Sequence, residues 1–134
     1  MSAEAPFESL DFVYVPTADV DASADRYVEL GAELVWKVRG MGAVVACLRV
    51  SAAGPDLLLT SHLDGDAPIL VYRVADYEAA VERLRAAGIS GIRELEIPQG
   101  PCASFRGPGG QRLAVYQLVR ARADEHFAGR IDEE

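Results

Sequence analysis

The chain repeats itself with a period of 57 residues, and no other sequence feature limits its fold so strongly. Ala18-Asp19 superimposes on Ala75-Asp76, Ala22 on Ala79, Arg26 on Arg83, Gly31 on Gly88, Ala46 on Ala103 and Arg49 on Arg106, without a gap. Conservative pairs fill the intervals: Val13 with Leu70, Asp21 with Glu78, Asp25 with Glu82. One supersecondary unit is therefore built twice, with the pairing of the copies, within one chain or across a dimer, left open.

The local patterns repeat in phase. Residues 10–16 and 69–74 are short β-rich runs. Each is followed by an aspartate, Asp19 or Asp76, placed to accept from the free amides of a helix start. Apolar residues then recur at helical spacing, Val20, Ala24, Tyr27 and Val28 in one copy and Tyr77, Ala80, Val81 and Leu84 in the other. Gly31 and Gly88 stand where a left-handed residue closes a helix. Three strands complete each copy, at 33–39, 43–50 and 56–61, then at 92–97, 102–106 and 112–118. Glycine- and proline-bearing turns separate them. The expected architecture is α+β, two βαβββ modules in tandem. Module one spans residues 8–61, a connector 62–67, module two 68–119 and a charged tail 120–134, read as a loose helix ending near Phe127.

Composition narrows the function. Thirteen basic side chains against 21 acidic ones leave a net charge of −8, which argues against a nucleic-acid partner and favours neutral or cationic small ligands. A 50% apolar content excludes generic disorder, and no apolar run is long enough to span a membrane. The first residues lack the basic flank and apolar stretch of a signal peptide. Cys47 and Cys102, without CxxC spacing, read as buried thiols of a reducing, cytoplasmic environment.

Two segments carry a resemblance. Tyr72-Arg-Val-Ala-Asp-Tyr-Glu-Ala-Ala-Val-Glu-Arg-Leu-Arg-Ala-Ala-Gly88 and Phe105-Arg-Gly-Pro-Gly-Gly-Gln-Arg-Leu113 resemble the second-module helix and the glycine-turn hairpin of the vicinal oxygen chelate superfamily. That family includes glyoxalase I, extradiol dioxygenases and bleomycin-binding proteins, and the resemblance implies that the two modules form curved mixed sheets around a concave cavity. Its enzymes carry metal ligands on the first and last strand of each module. The resemblance maps these slots onto Phe12, Leu57 (to within one position), Ile69 and Ala114. None of these side chains offers a lone pair to a cation, so the resemblance implies a member without the metal site and without a cofactor.

Strand alternation extends the four slots to a wall. Tyr14, Leu59, Val71 and Tyr116 share the face of Phe12, Leu57, Ile69 and Ala114, while Val13, Val15, Leu70, Tyr72 and Val115 point to the helices. Trp36 joins either layer, and Cys102 and Ser104 supply polar tips. Such a stripe suits a flat, partly aromatic ligand, and equally an ordinary core or a dimer interface. His62 and His126 read as surface histidines, and Glu96 and Gln99 as neighbours of a rigid loop. Arg49 and Arg106 read as matched salt bridges, with a grip on an anionic ligand as the other option. Three functions follow: a metal-independent binder of a partly aromatic compound, related to antibiotic-sequestering members; a lyase or dioxygenase with ligands displaced to His62, Glu96 or a partner chain; or a structural dimer. A homodimer is expected in each case, because curved four-stranded sheets leave edges exposed.

Overall fold

The computed structural model describes residues 6–40, 42–63, 67–120, 129 and 131. The expected tail helix and His126 lie outside the described residues, as does part of the connector. The order of elements is β1 (Ser9–Pro16), α1 (Val20–Glu29), β2 (Glu33–Gly40), β3 (Ala43–Arg49) and β4 (Asp56–Thr60) in module one. Module two follows with β5 (Ile69–Arg73), α2 (Tyr77–Ala86), β6 (Arg93–Ile97), β7 (Gly100–Arg106) and β8 (Arg112–Tyr116). The α+β class and the doubled βαβββ unit are as the sequence predicts.

Both helices begin and end as read. Asp19 accepts from the Ala22 amide at 3.0 Å and Asp76 from the Ala79 amide at 3.1 Å. Gly31 and Gly88 close the helices at φ 107° and 87°, left-handed conformations that cost a glycine little. Each helix is also tied to the outermost strand of its module, with the charges exchanged. Asp21 of α1 accepts from Lys37 (2.7 Å) and Arg39 (2.6 Å) of β2, whereas Arg85 of α2 donates to Glu94 of β6 at 3.3 Å.

All eight strands form one sheet in the order β2-β3-β4-β1-β5-β8-β7-β6. Within each module the first strand runs parallel to the last, β1 with β4 and β5 with β8. The modules join through the antiparallel β1–β5 pair, where Phe12 faces Val71 and Tyr14 faces Ile69. Since Phe12 and Ile69 are repeat equivalents, as are Tyr14 and Val71, this seam is a local two-fold axis. The modules thus pair within one chain, a point the sequence leaves open.

The sheet separates three apolar layers. Under α1 lie Val20, Ala24, Ala46, Leu48 and Leu59, with Leu57 packed against them. Under α2 lie Val74, Tyr77, Val81, Ala103, Phe105 and Val115. The opposite face gathers Phe12, Trp36, Cys47, Leu58, Ile69, Val71, Ile97, Cys102, Ala114 and Tyr116. Leu57 and Leu59 are therefore on the helix side, which corrects the face expected for them. The turn between β3 and β4 spans residues 50–55, one residue longer than the 107–111 turn of module two. Beyond that turn the repeat offset falls to 56, and Leu58 is the counterpart of Ala114. A one-residue slip moves every side chain of a strand to the other face.

Gly100 is required where β7 begins. Pro98 and Gln99 make a tight turn rather than the longer loop expected from the sequence, and Ile97 pairs with Gly100. A Cβ on Gly100 would meet the Gln117 carbonyl oxygen at 2.0 Å, whereas at Gly109 it would meet open space. Gly100→Ala is expected to lower unfolding stability by about 1–3 kcal/mol, the usual range for overpacking, while Gly109→Ala leaves it nearly unchanged. Urea unfolding of the two variants checks this, and equal midpoints would contradict it.

Candidate functional site

The two modules treat the concave face differently, and the repeat makes the comparison exact residue by residue. In module one Phe12, Trp36, Cys47 and Leu58 fill the face, each less than one-tenth exposed. In module two the equivalent positions carry Ile69, Arg93, Ser104 and Ala114. Isobutyl becomes methyl, phenyl becomes sec-butyl, and an indole becomes an arginine on the edge strand. Volume is removed on one side only. The result is a cavity of about 270 Å³ whose lining includes Tyr14, Ile69, Val71, Ile97, Cys102, Ser104 and Ala114. His62, Leu63, Arg93, Leu95 and Arg112 rim it.

Six of the eleven residues singled out from the sequence thus come together: Tyr14, Ile69, Val71, Cys102, Ser104 and Ala114. Phe12, Trp36 and Tyr116 share the face but lie in the packed core beside the cavity, with Phe12 and Tyr116 in ring contact at 5.7 Å. Tyr116 is only 1% exposed and offers no surface for a ligand to stack on. Leu57 and Leu59 lie across the sheet. Volume differences between repeat copies were present in the sequence but become a signal only with the register known.

A polar network beside the seam escaped the sequence reading. The β1–β5 register slips between Leu10 and Phe12, a bulge that includes Asp11. The Asp11 carboxylate accepts from the Tyr116 hydroxyl, from Ser9, and from Arg73 Nε at 2.8 Å. Burial alone would raise its pKa, yet these three donors with the nearby guanidinium outweigh burial and hold it below the ordinary carboxylate value. Burial first, and then the hydrogen bond to Asp11 and its charge, push the Tyr116 phenol up, so it stays protonated and donating. No pattern of spacing announces such a triad, because its members lie on three strands and one depends on a bulge.

Burial, then the charge of Glu96, push the Cys102 thiol up to about 12, which leaves almost no thiolate at neutral pH. His62 at the rim shares a hydrogen bond with the Thr60 hydroxyl. Glu96 pairs with Arg120 and does not line the cavity. Arg49 reaches Glu33 at 3.4 Å and Asp56 at 3.9 Å, the expected structural pairing. Arg106 instead donates to the Gly110 carbonyl at 3.0 Å and so departs from its repeat partner. No helix among the described residues is long and apolar enough to cross a membrane.

Two βαβββ modules joined edge to edge in one sheet, with a cup on the face away from the helices, define a small class of proteins. Residues 9–115 match the model of the Glyoxalase/Bleomycin resistance protein/Dioxygenase superfamily, and the chain belongs to that family. Its fold is shared with methylmalonyl-CoA epimerase from Mycobacterium tuberculosis (TM-score 0.70, 23% identity, 92% of this chain and 96% of the other). It is shared too with a superfamily member from Vibrio splendidus 12B01 (TM-score 0.55, 19% identity, 81% and 97%). A catechol 2,3-dioxygenase matches at TM-score 0.61 and 19% identity over 85% of this chain, which spans 41% of that larger one. No curated protein matches the sequence. At these identities the structural likenesses establish the fold alone.

The metal that this fold family implies does not fit the residues present. With the β4 slip included, the four ligand positions are Phe12, Leu58, Ile69 and Ala114, all carbon and hydrogen beyond the backbone. Among the described residues, no three His, Cys, Asp or Glu side chains gather elsewhere. A divalent cation needs several converging oxygen or nitrogen donors, and this shell has none to offer.

The Asp11 network carries a pH dependence of definite sign. Its folded pKa lies below the unfolded value, so its contribution is full above the unfolded pKa near 4 and is lost as pH falls through the folded pKa. Tyr116→Phe removes one donor from a largely buried carboxylate and is expected to cost about 1–3 kcal/mol at pH 7. Asp11→Asn should flatten the acid limb of the stability profile. Chemical denaturation between pH 3 and 7 tests both, and identical acid limbs for Asp11→Asn and wild type would remove the carboxylate from the account.

Proposed function

We propose that the protein is a metal-independent binder that sequesters a small, partly aromatic compound in the module-two cup. One observation carries the reading: volume has been withdrawn from the concave face in module two, at the places where module one is plugged, and the walls left behind are apolar. Ile69, Val71, Ile97 and Ala114 bury apolar surface, Tyr14 adds an aromatic edge, and Ser104 gives a hydroxyl for orientation. The side chains at the family's ligand positions support binding without metal, and the raised pKa of Cys102 supports binding without nucleophilic attack. Bleomycin-binding members provide the precedent in kind.

The test uses N-phenyl-1-naphthylamine, a neutral aromatic dye that brightens in apolar sites. Saturable binding is expected, and it should persist after exhaustive chelation. Ala114→Leu introduces the isobutyl group that Leu58 carries in module one and is expected to weaken binding roughly tenfold or more, ~1.4 kcal/mol, with stability retained. Unchanged affinity in that variant, or binding that requires added divalent metal, would overturn the reading.

The same proposal extends to assembly. β6 ends the sheet, and Leu95 on it is 46% exposed. A homodimer at micromolar concentration is expected on light scattering, because an open strand edge offers unpaired backbone groups to a second chain. A monomeric mass throughout that range would exclude it.

A further inference from the structure

The cup is continuous with a groove of about 890 Å³ that shares Ile69, Arg93, Ser104 and Arg112 with it and is bordered also by Arg106. Strand register puts these arginines on the concave side. Arg93 faces Ser104, Ser104 faces Ala114, and Arg106 faces Arg112. The arginines elsewhere on the sheet are committed to carboxylates: Arg39 to Asp21, Arg49 to Glu33 and Asp56, Arg73 to Asp11. Among the described residues, no carboxylate lies within ion-pair distance of Arg93 or Arg106. Arg106 spends one N–H on the Gly110 carbonyl and keeps the rest of its fork.

Module one supplies an internal control. The counterpart of the Arg106–Arg112 pair is Arg49–Asp56, an attractive pair, since Arg49 and Arg106 are 57 apart and Asp56 and Arg112 are 56 apart. The counterpart of Arg93 is the plug residue Trp36. Thus the module with the open cup also replaces a carboxylate and an indole by guanidinium groups at its mouth. Arg106 thus faces a guanidinium across the two strands where Arg49 faces a carboxylate. It therefore keeps, toward the mouth, a fork that its repeat partner spends on an ion pair.

From this we infer that the ligand is anionic: an aromatic or apolar body in the cup and a carboxylate, sulfonate or phosphate at its edge, held by Arg93 and Arg106. The inference rests on the proposed binding function and adds the ligand's charge. The acidic balance of the whole chain does not oppose it. At physiological ionic strength charges are screened within about 8 Å, so the guanidinium groups at the mouth outweigh distant carboxylates. Planar guanidinium forks also match these oxyanions in geometry.

The experiment compares 1-anilinonaphthalene-8-sulfonate with N-phenyl-1-naphthylamine, the same aromatic body with and without the anionic group. Binding of both dyes is measured by fluorescence titration on wild type, Arg93→Gln, Arg106→Gln and Ala114→Leu. Each arginine variant is expected to weaken the sulfonate dye roughly fivefold to tenfold, discounted for exposure, and to affect the neutral dye far less. Raising the salt to 0.5 M should weaken only the sulfonate dye in wild type. Both arginines are exposed, so folding should survive, and an unfolding midpoint equal to that of wild type verifies this. If the neutral dye binds and the arginine variants hold the sulfonate dye as wild type does, the anionic assignment is overturned while the binding function stands. If neither dye binds wild type, the binding function itself fails.

Discussion

Everything in this molecule hangs on the antiparallel pairing of β1 with β5. Each βαβββ module alone has a sheet of four strands with one face covered by a single helix and the other bare. Joining β1 to β5 removes one open edge from each module and brings the two bare faces into one concave surface, where Phe12, Val71, Ile69 and Tyr116 pack together. The seam is fixed by more than its ladder. The bulge between Leu10 and Phe12 brings the Asp11 carboxylate to a hydroxyl from β8 and a guanidinium from β5, so both modules contribute to one charge-assisted network. A shift in register would separate these groups and leave a carboxylate largely out of water without its donors, which the surrounding protein penalises strongly.

Once the seam is set, duplication provides the frame and divergence the cup. Two equal modules would give two equal faces. Here one face is closed by Trp36, Phe12 and Leu58, and the other is opened by Arg93, Ile69 and Ala114. The closed half serves as a rigid wall, and the open half keeps its shape because Cys102, Ile97 and Val71 remain buried around the void. The loss of metal ligands belongs to the same change. At the positions where the family resemblance places metal donors, this chain presents hydrocarbon, and a cavity lies beside them.

The sequence determined the elements, the repeat and the family. Aspartate caps, helical spacing, closing glycines and turn dipeptides act over a few residues, so the chain order β-α-β-β-β could be written twice with bounds close to those observed. The absence of metal donors was legible too, since it depends only on residue type at aligned positions, and it survived even a one-residue error in β4. Tertiary structure decided the rest, because the rest depends on register and distance. The extra residue in the 50–55 turn reversed the faces of Leu57 and Leu59. Packing placed Tyr116 and Trp36 in the core, where alternation had put Tyr116 on the cavity wall and left Trp36 open to either layer. The bulge at Asp11 created a network from residues far apart in sequence. Arg106 lies opposite Arg112, where module one sets Arg49 beside Asp56, and only the β7–β8 register brings that contrast about. Short-range chemistry is written along the chain, whereas which side of a strand meets which neighbour emerges only when the strands pair.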